Sequence, residues 1–234
     1  MGAGRLGTAL AAALRERGAT VGALIRRGES VPSVDVVLLA IPERELAGVA
    51  KALPAGLVVG HCSASAPLDL LAPHERLGLH PLLPLARTSN KSVADTFAGA
   101  ACAIDGTTER ARSIASDIAT LLGMRPVVVA QELRPLYHAA ASMAANYLVT
   151  LESAAEQLAR ATGITRAELA PLARASLEAW IAGGFCDAIS GPVSRGDDAI
   201  VDGQRRAIES HEPSLLPLFD ALTAATRKEM KSCA

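Results

Sequence analysis

The chain has almost no net charge: 23 Lys and Arg stand against 24 Asp and Glu in 234 residues, a formal charge of −1 at neutral pH. With no excess of basic residues there is no electrostatic footprint for nucleic acid or for an anionic membrane surface. Long hydrophobic runs are missing too. None approaches the ~18 apolar residues of a membrane span, and the first residues lack a basic-then-apolar leader pattern. Cysteine is scarce and scattered: Cys62, Cys102, Cys186 and Cys233 form no CxxC, which indicates neither a zinc site nor a disulfide framework. Reduced thiols in a cytoplasmic protein are the expectation. No internal repeat or low-complexity tract interrupts the chain. What is present is hydrophobic: half of the residues are apolar, enough at this length to bury a full core, divided here between two modest domains.

In the first half, short β-branched apolar runs at 20–25, 34–41, 57–60, 101–104 and 126–129 alternate with helical stretches. That is the pattern of a parallel sheet covered by helices. Stretches 6–17 and 108–122 have helix composition, and Gly18 and Gly123 stand where C-terminal capping glycines belong. After residue 129 the strand signal ends, and 136–162, 166–182 and 215–230 read as helices. The expected division is a sheet domain over 1–130 and a helical domain over 131–234.

Gly2, Gly4 and Gly7 form a GxGxxG that opens an apolar helix, a place where glycines permit a tight turn and the helix N-terminus can receive a pyrophosphate. The following run ends at Arg26 and Arg27, about where an acidic residue would bind the ribose of NAD. Arginines there favour the 2′-phosphate of NADP(H). Only Met1 precedes Gly2, so the central strand that should lead into the motif lacks residues, and the expectation is that the true start lies upstream. The second connection is short as well: from Arg27 to Val34 an extended segment reaches about 26 Å, against the roughly 20 Å that a crossover without a helix requires.

Several stretches together, Gly4 to Leu10, Asp35 to Pro42, His80-Pro81-Leu82, Tyr137 to Ala141, Asn146-Tyr147 and Gly191-Pro192 to Asp197, carry a resemblance over nearly the whole chain. The sequence resembles the Rossmann-like proteins with a C-terminal domain of unknown function (the domain-of-unknown-function 2520 family), relatives of 6-phosphogluconate and 3-hydroxyisobutyrate dehydrogenases and of deazaflavin-dependent NADP reductases. The resemblance implies an α/β Rossmann-type parallel sheet, with its first strand missing, and an all-α C-terminal domain of the 6-phosphogluconate dehydrogenase type. It also implies NADP(H) binding and a homodimer built through the helical domain.

The expected cofactor contacts are Gly2, Gly4, Arg5, Leu6, Gly7, Arg26, Arg27, Ile41, Pro42 and Ser63. For catalysis, His138, Ser142 and Asn146 at i, i+4, i+8 form one polar stripe on an alanine-rich helix. In the related dehydrogenases this helix supplies a proton donor, and an imidazole can protonate a carbonyl or imine as hydride arrives. His80 closes a strand at the sheet's carboxyl edge and is a further catalytic candidate. Tyr137 and Arg195 are the expected substrate contacts, the guanidinium being suited to a carboxylate or phosphate. Bland roles compete: His138 satisfied by a neighbour, Ser63 capping the next helix, Asp197 or Asp198 capping another. His74 and His211 read as solvated loop residues, and no metal site is expected. The expected function is hydride transfer between NADP(H) and a small carbonyl substrate of β-hydroxy acid type, or an imine. A non-catalytic NADP sensor is the alternative; a hydrolase using Cys62 or Ser63 in a loose nucleophile elbow is another.

Overall fold

The computed structural model describes residues 1–26, 28–85 and 94–233, and its contacts divide the chain into a unit over Met1–Ala145 and a unit over Asn146–Ala234. The first unit holds a five-stranded sheet in the order β1 (Val36–Leu39), β2 (Val58–His61), β3 (Glu75–Pro81), β4 (Ala101–Gly106), β5 (Arg125–Val128). All neighbours pair in parallel except β3 and β4, which are antiparallel. The sheet is therefore mostly, not wholly, parallel.

Strand alternation sends successive side chains to opposite faces, and each face has its own core. On one face α1 (Arg5–Glu16) and α3 (Glu109–Leu121) cover Val58, Leu77, Leu79, Cys102 and Ile104. On the other α2 (Glu43–Ala52) covers Val37, Leu39 and Val59. The capping glycines fall where expected: Gly18 and Gly123 have φ of 86° and 74°, and the amides after them, Ala19 and Met124, bond back to Leu14 and Ala119.

One expectation about strands needs correction. The run at 20–25 is not a strand; its one ladder-like contact is Ile25 O, which accepts from Gly2 N at 3.1 Å. The physical reason lies in its neighbour. Met1 N donates to Leu38 O (2.5 Å) and Met1 O accepts from Ala40 N (2.9 Å), so Met1 and Gly2 occupy the position of the central strand between Ile25 and β1. The strand expected to close at His80 is β3, which is absent from the apolar runs because it alternates Leu77 and Leu79 with Gly78 and His80.

The first unit ends in helix α4 (Arg134–Ser142), which brings Arg134 against Asp105 and Tyr137 against His80. Residues Met143–Tyr147 wind as a π-helix, and α5 (Leu148–Ala159) follows. In the second unit α6 (Arg166–Ala188) starts from a Thr165–Glu168 capping box and kinks at Gly184. A short turn of helix, α7 (Pro192–Arg195), leads to α8 (Asp198–His211) and α9 (Leu216–Met230). Arg205 grips Asp220 through two N–H groups at 3.0 Å, and Arg227 reaches Asp198 at 2.6 Å.

Another correction concerns the thiols. Cys186 and Cys233 form a disulfide, joining positions 47 apart in sequence that no CxxC spacing could signal. Among the described residues no helix is long and apolar enough to cross a membrane.

Candidate functional site

Helix α1 begins at Gly4, which has no side chain with which to cap it, and its first turn carries no acidic residue. The first intrahelical bond runs from Thr8 N to Gly4 O, so the N–H groups of Arg5, Leu6 and Gly7 are left for an outside acceptor. Helix α3, by comparison, closes its own N-terminus with Thr108 Oγ1, which accepts from Ala111 N. The glycines explain how α1 lies so close to the sheet edge. A Cβ on Gly7 would lie 1.9 Å from Gly2 O, and one on Gly2 would lie 2.4 Å from Ala40 O. At Gly4 a Cβ would meet nothing within 4 Å, the open side of the cradle.

Beside this helix end lies a cavity of about 690 Å³. Met1, Gly2, Ile25, Arg26, Ile41 and Val49 are among its walls, and Glu29, Ser30 and Glu45 bring polar groups to it. Of the expected cofactor contacts, Gly2, Arg26 and Ile41 line this space, while Gly4, Arg5 and Leu6 open the helix beside it. Arg5 also donates to Leu85 O at 3.3 Å, and Leu6 packs on the first core. Pro42 sits at the N-cap of α2. Arg27 lies outside the described residues. Glu29, which sequence reasoning passed over, accepts the backbone N–H of Arg26 at 2.7 Å across a turn that needs Gly28 at φ 84°. The carboxylate thereby holds Arg26 in place.

A second polar group gathers on the α2 face of the sheet. Alternation puts His61, Gly78, His80 and Asp105 on this face, and the pairing aligns His61, Gly78 and Asp105 in one rung across β2, β3 and β4. Gly78 leaves the gap that Arg134 fills: a Cβ there would be 3.0 Å from Nη2. The Arg134 side chain is fully buried, 4.0 Å from Asp105, and its three nitrogens have no hydrogen-bond partner among the described residues. His61 is also fully buried; Nδ1 accepts from Ser63 N (3.3 Å), which leaves Nε2 as the protonated and unpartnered nitrogen. Burial first, then the Arg134 charge, lowers His61 to about 4. His80 is lowered to about 4 as well, by burial and then by His138, Arg134 and His61.

Tyr137 joins this group, its hydroxyl 2.8 Å from His80 Nδ1 and the two rings edge to face at 5.7 Å. The inward line of α4 is thus Arg134, Tyr137 and Ala141. His138 is exposed, with no hydrogen-bond partner among the described residues. The expected stripe of His138, Ser142 and Asn146 requires an unbroken α-helix, and the π-helical turn over Met143–Tyr147 breaks the i, i+4, i+8 alignment. Arg134 escaped the sequence reading because an arginine at a helix start looks like a surface charge; the two-residue period through β2, β3 and β4 was the signal that could have found its surroundings.

Ser63 is occupied locally. Its hydroxyl donates to Glu43 and accepts from Ser65 N (3.1 Å) and Ala66 N (2.9 Å). Cys62 is buried, and burial pushes its thiol up to about 12. Neither is set up as a nucleophile, so the geometry does not favour the elbow reading. His74 corrects another expectation: it is buried, not solvated, and bonds through Nε2 to Ala50 O at 2.8 Å in the last turn of α2. In the second unit His211 belongs to the end of α8, and Arg195 pairs with Asp197 (3.1 Å), whose carboxylate makes no cap bond to α8.

The sequence profile of the family described as Domain of unknown function (DUF2520) matches residues 100–226, more than half of the chain. The chain belongs to that family. No curated protein matches it. Among solved structures, this DUF2520 chain is similar to a Bacteroides fragilis protein provisionally described as an NADP oxidoreductase. The two share 18% identity and a TM-score of 0.83, over 97% of this chain and 96% of the other. A Thermotoga maritima protein aligns at 24% identity and TM-score 0.73, covering 88% and 81%. The imine reductase of Streptomyces aurantiacus aligns at 19% and 0.66, covering 100% and 94%. At such identities the likeness establishes a shared fold, a Rossmann-type sheet followed by helices.

Proposed function

We propose that this chain is an NADP(H)-dependent oxidoreductase acting on a small carbonyl or imine compound. The observation that carries the reading is the cradle at the start of α1, three backbone N–H groups with no acceptor among the described residues, beside a cavity that ends at Arg26. The chain's own groups fit a dinucleotide. The N–H groups of Arg5, Leu6 and Gly7 can bind a pyrophosphate, helped by the helix dipole. Arg26 and Ser30 can bind the 2′-phosphate, and Ile25, Ile41 and Val49 offer apolar walls for an adenine ring. When bound, the reduced nicotinamide supplies a hydride to the substrate carbon. The protein's tasks are then to hold both partners, exclude water and deliver a proton. The fold shared with an imine reductase supports the reaction class without naming the substrate.

A helical domain of the 6-phosphogluconate dehydrogenase type, a second copy of the chain covering it and a cytoplasmic location are parts of the same proposal. The second unit supports the dimer, since among its described residues only Ala154, Val201 and Ile208 are buried hydrophobics, whereas Val149, Leu172, Trp180 and Ile181 are exposed. Calorimetry with NADPH and NADH tests the cofactor reading: tighter binding of NADPH is expected, and Arg26→Ala should remove about 1–3 kcal/mol from NADPH binding alone.

A further inference from the structure

Hydride addition to an imine or carbonyl leaves a strongly basic nitrogen or oxygen that must take a proton, and the first unit contains one hydroxyl built for that. Tyr137 sits on the inward line of α4, partly exposed, with its oxygen 2.8 Å from Nδ1 of His80. His80 is the next-to-last residue of β3, at the edge where the parallel strands β1, β2 and β3 all end. That carboxyl edge is where ligands of open α/β sheets bind.

We infer that Tyr137, held by His80, is the catalytic acid that protonates the substrate's nitrogen or oxygen. This rests on the nicotinamide-dependent reading above. As the substrate carbon gains the hydride and its π bond to nitrogen or oxygen breaks, that atom takes the phenolic proton of Tyr137. The phenolate takes the Nδ1 proton of His80 as a solvent proton arrives at Nε2, and exchange with solvent then returns the ring to its Nδ1–H tautomer. One proton from solvent is consumed for each hydride transferred, so charge and atoms balance. The charged and titratable groups around the pair fit these roles. With burial, His138, Arg134 and His61 hold His80 near 4, so at neutral pH it is uncharged and relays a proton without being the acid. Tyr137 is pushed up to about 12, chiefly by burial and then by Cys102, with Arg134 opposing, and it stays protonated until a stronger base arrives.

The chain has two tyrosines, so in a Tyr147→Phe background the phenolate absorbance reports Tyr137 alone. Saturating NADP⁺, whose oxidised ring is cationic, should pull that titration down by about one pH unit, roughly tenfold more phenolate at a given alkaline pH. NADPH, whose ring is neutral, should leave it in place. With 1-pyrroline as an imine probe, Tyr137→Phe should lower NADPH oxidation at least ~100-fold while NADPH affinity stays within about twofold. Bound NADP⁺ that leaves the titration unmoved overturns the inference while sparing the cofactor reading, as does a Tyr137→Phe protein that oxidises NADPH at the full rate. Failure of the unaltered protein to bind either cofactor overturns both.

Discussion

Gly4 and Gly7 separate folding from binding within one motif. An alanine at Gly7 would drive its Cβ into Gly2 O, and neither backbone can yield without disturbing the two bonds Met1 makes to Leu38 and Ala40. Gly7→Ala should therefore cost about 1–3 kcal/mol of stability or more. Gly4→Ala meets open space at φ −77° and should leave the melting temperature nearly unchanged, while a methyl added at the start of α1 takes up room a pyrophosphate would use and should weaken NADPH binding. Thermal melts and calorimetry on both variants check this, and a Gly4→Ala protein of full affinity would count against the cradle. His61 gives a prediction in pH. Its folded value near 4 lies below the ordinary 6.5, so between those limits the unfolded chain binds more protons, and stability falls as pH drops from 6.5 towards 4. The loss from His61 amounts to about 3 kcal/mol at most. His61→Gln should lessen that slope in a series of thermal melts, the share of His80 remaining; equal slopes for both proteins would remove the burial argument.

At the scale of elements, legibility in sequence followed burial. The strand β1 and most of β2 lie inside continuous apolar runs, and both helix-capping glycines were marked by the apolar run that follows each, although only the run after Gly123 becomes a strand. β3 was not legible as a run because Gly78 and His80 alternate with Leu77 and Leu79, and the reason for that alternation, a guanidinium packed over Gly78, comes from a helix start more than fifty residues away. The GxGxxG signalled the cradle directly, and Arg26 was placed by spacing. Glu29 and Ser30 were missed because a turn around Gly28, not a periodic pattern, brings them to the cavity. Helix α4 shows the opposite failure. Its polar residues suggested a stripe through His138, yet the side chains that turn inward are Arg134 and Tyr137, and a π-helical turn beyond Ser142 carries no mark in composition.

At the scale of the molecule, the two units differ in how well they bury themselves. The sheet unit has two cores of fully enclosed Leu, Val and Ala, while the helical unit leaves Trp180 at 57% exposure and Ile181 at 68%. A second copy of the chain over that surface predicts a dimer in solution by sedimentation, and Trp180→Glu should shift it towards monomer. A protein that sediments as a monomer before substitution would refute this part. The claim on which the rest depends is the dinucleotide at α1, and isothermal calorimetry of the purified chain with NADPH and NADH measures it most directly. The account predicts saturable 1:1 binding of NADPH, tighter than NADH by an amount that Arg26→Ala abolishes. Equal affinity for the two cofactors, or no heat from either, would contradict it.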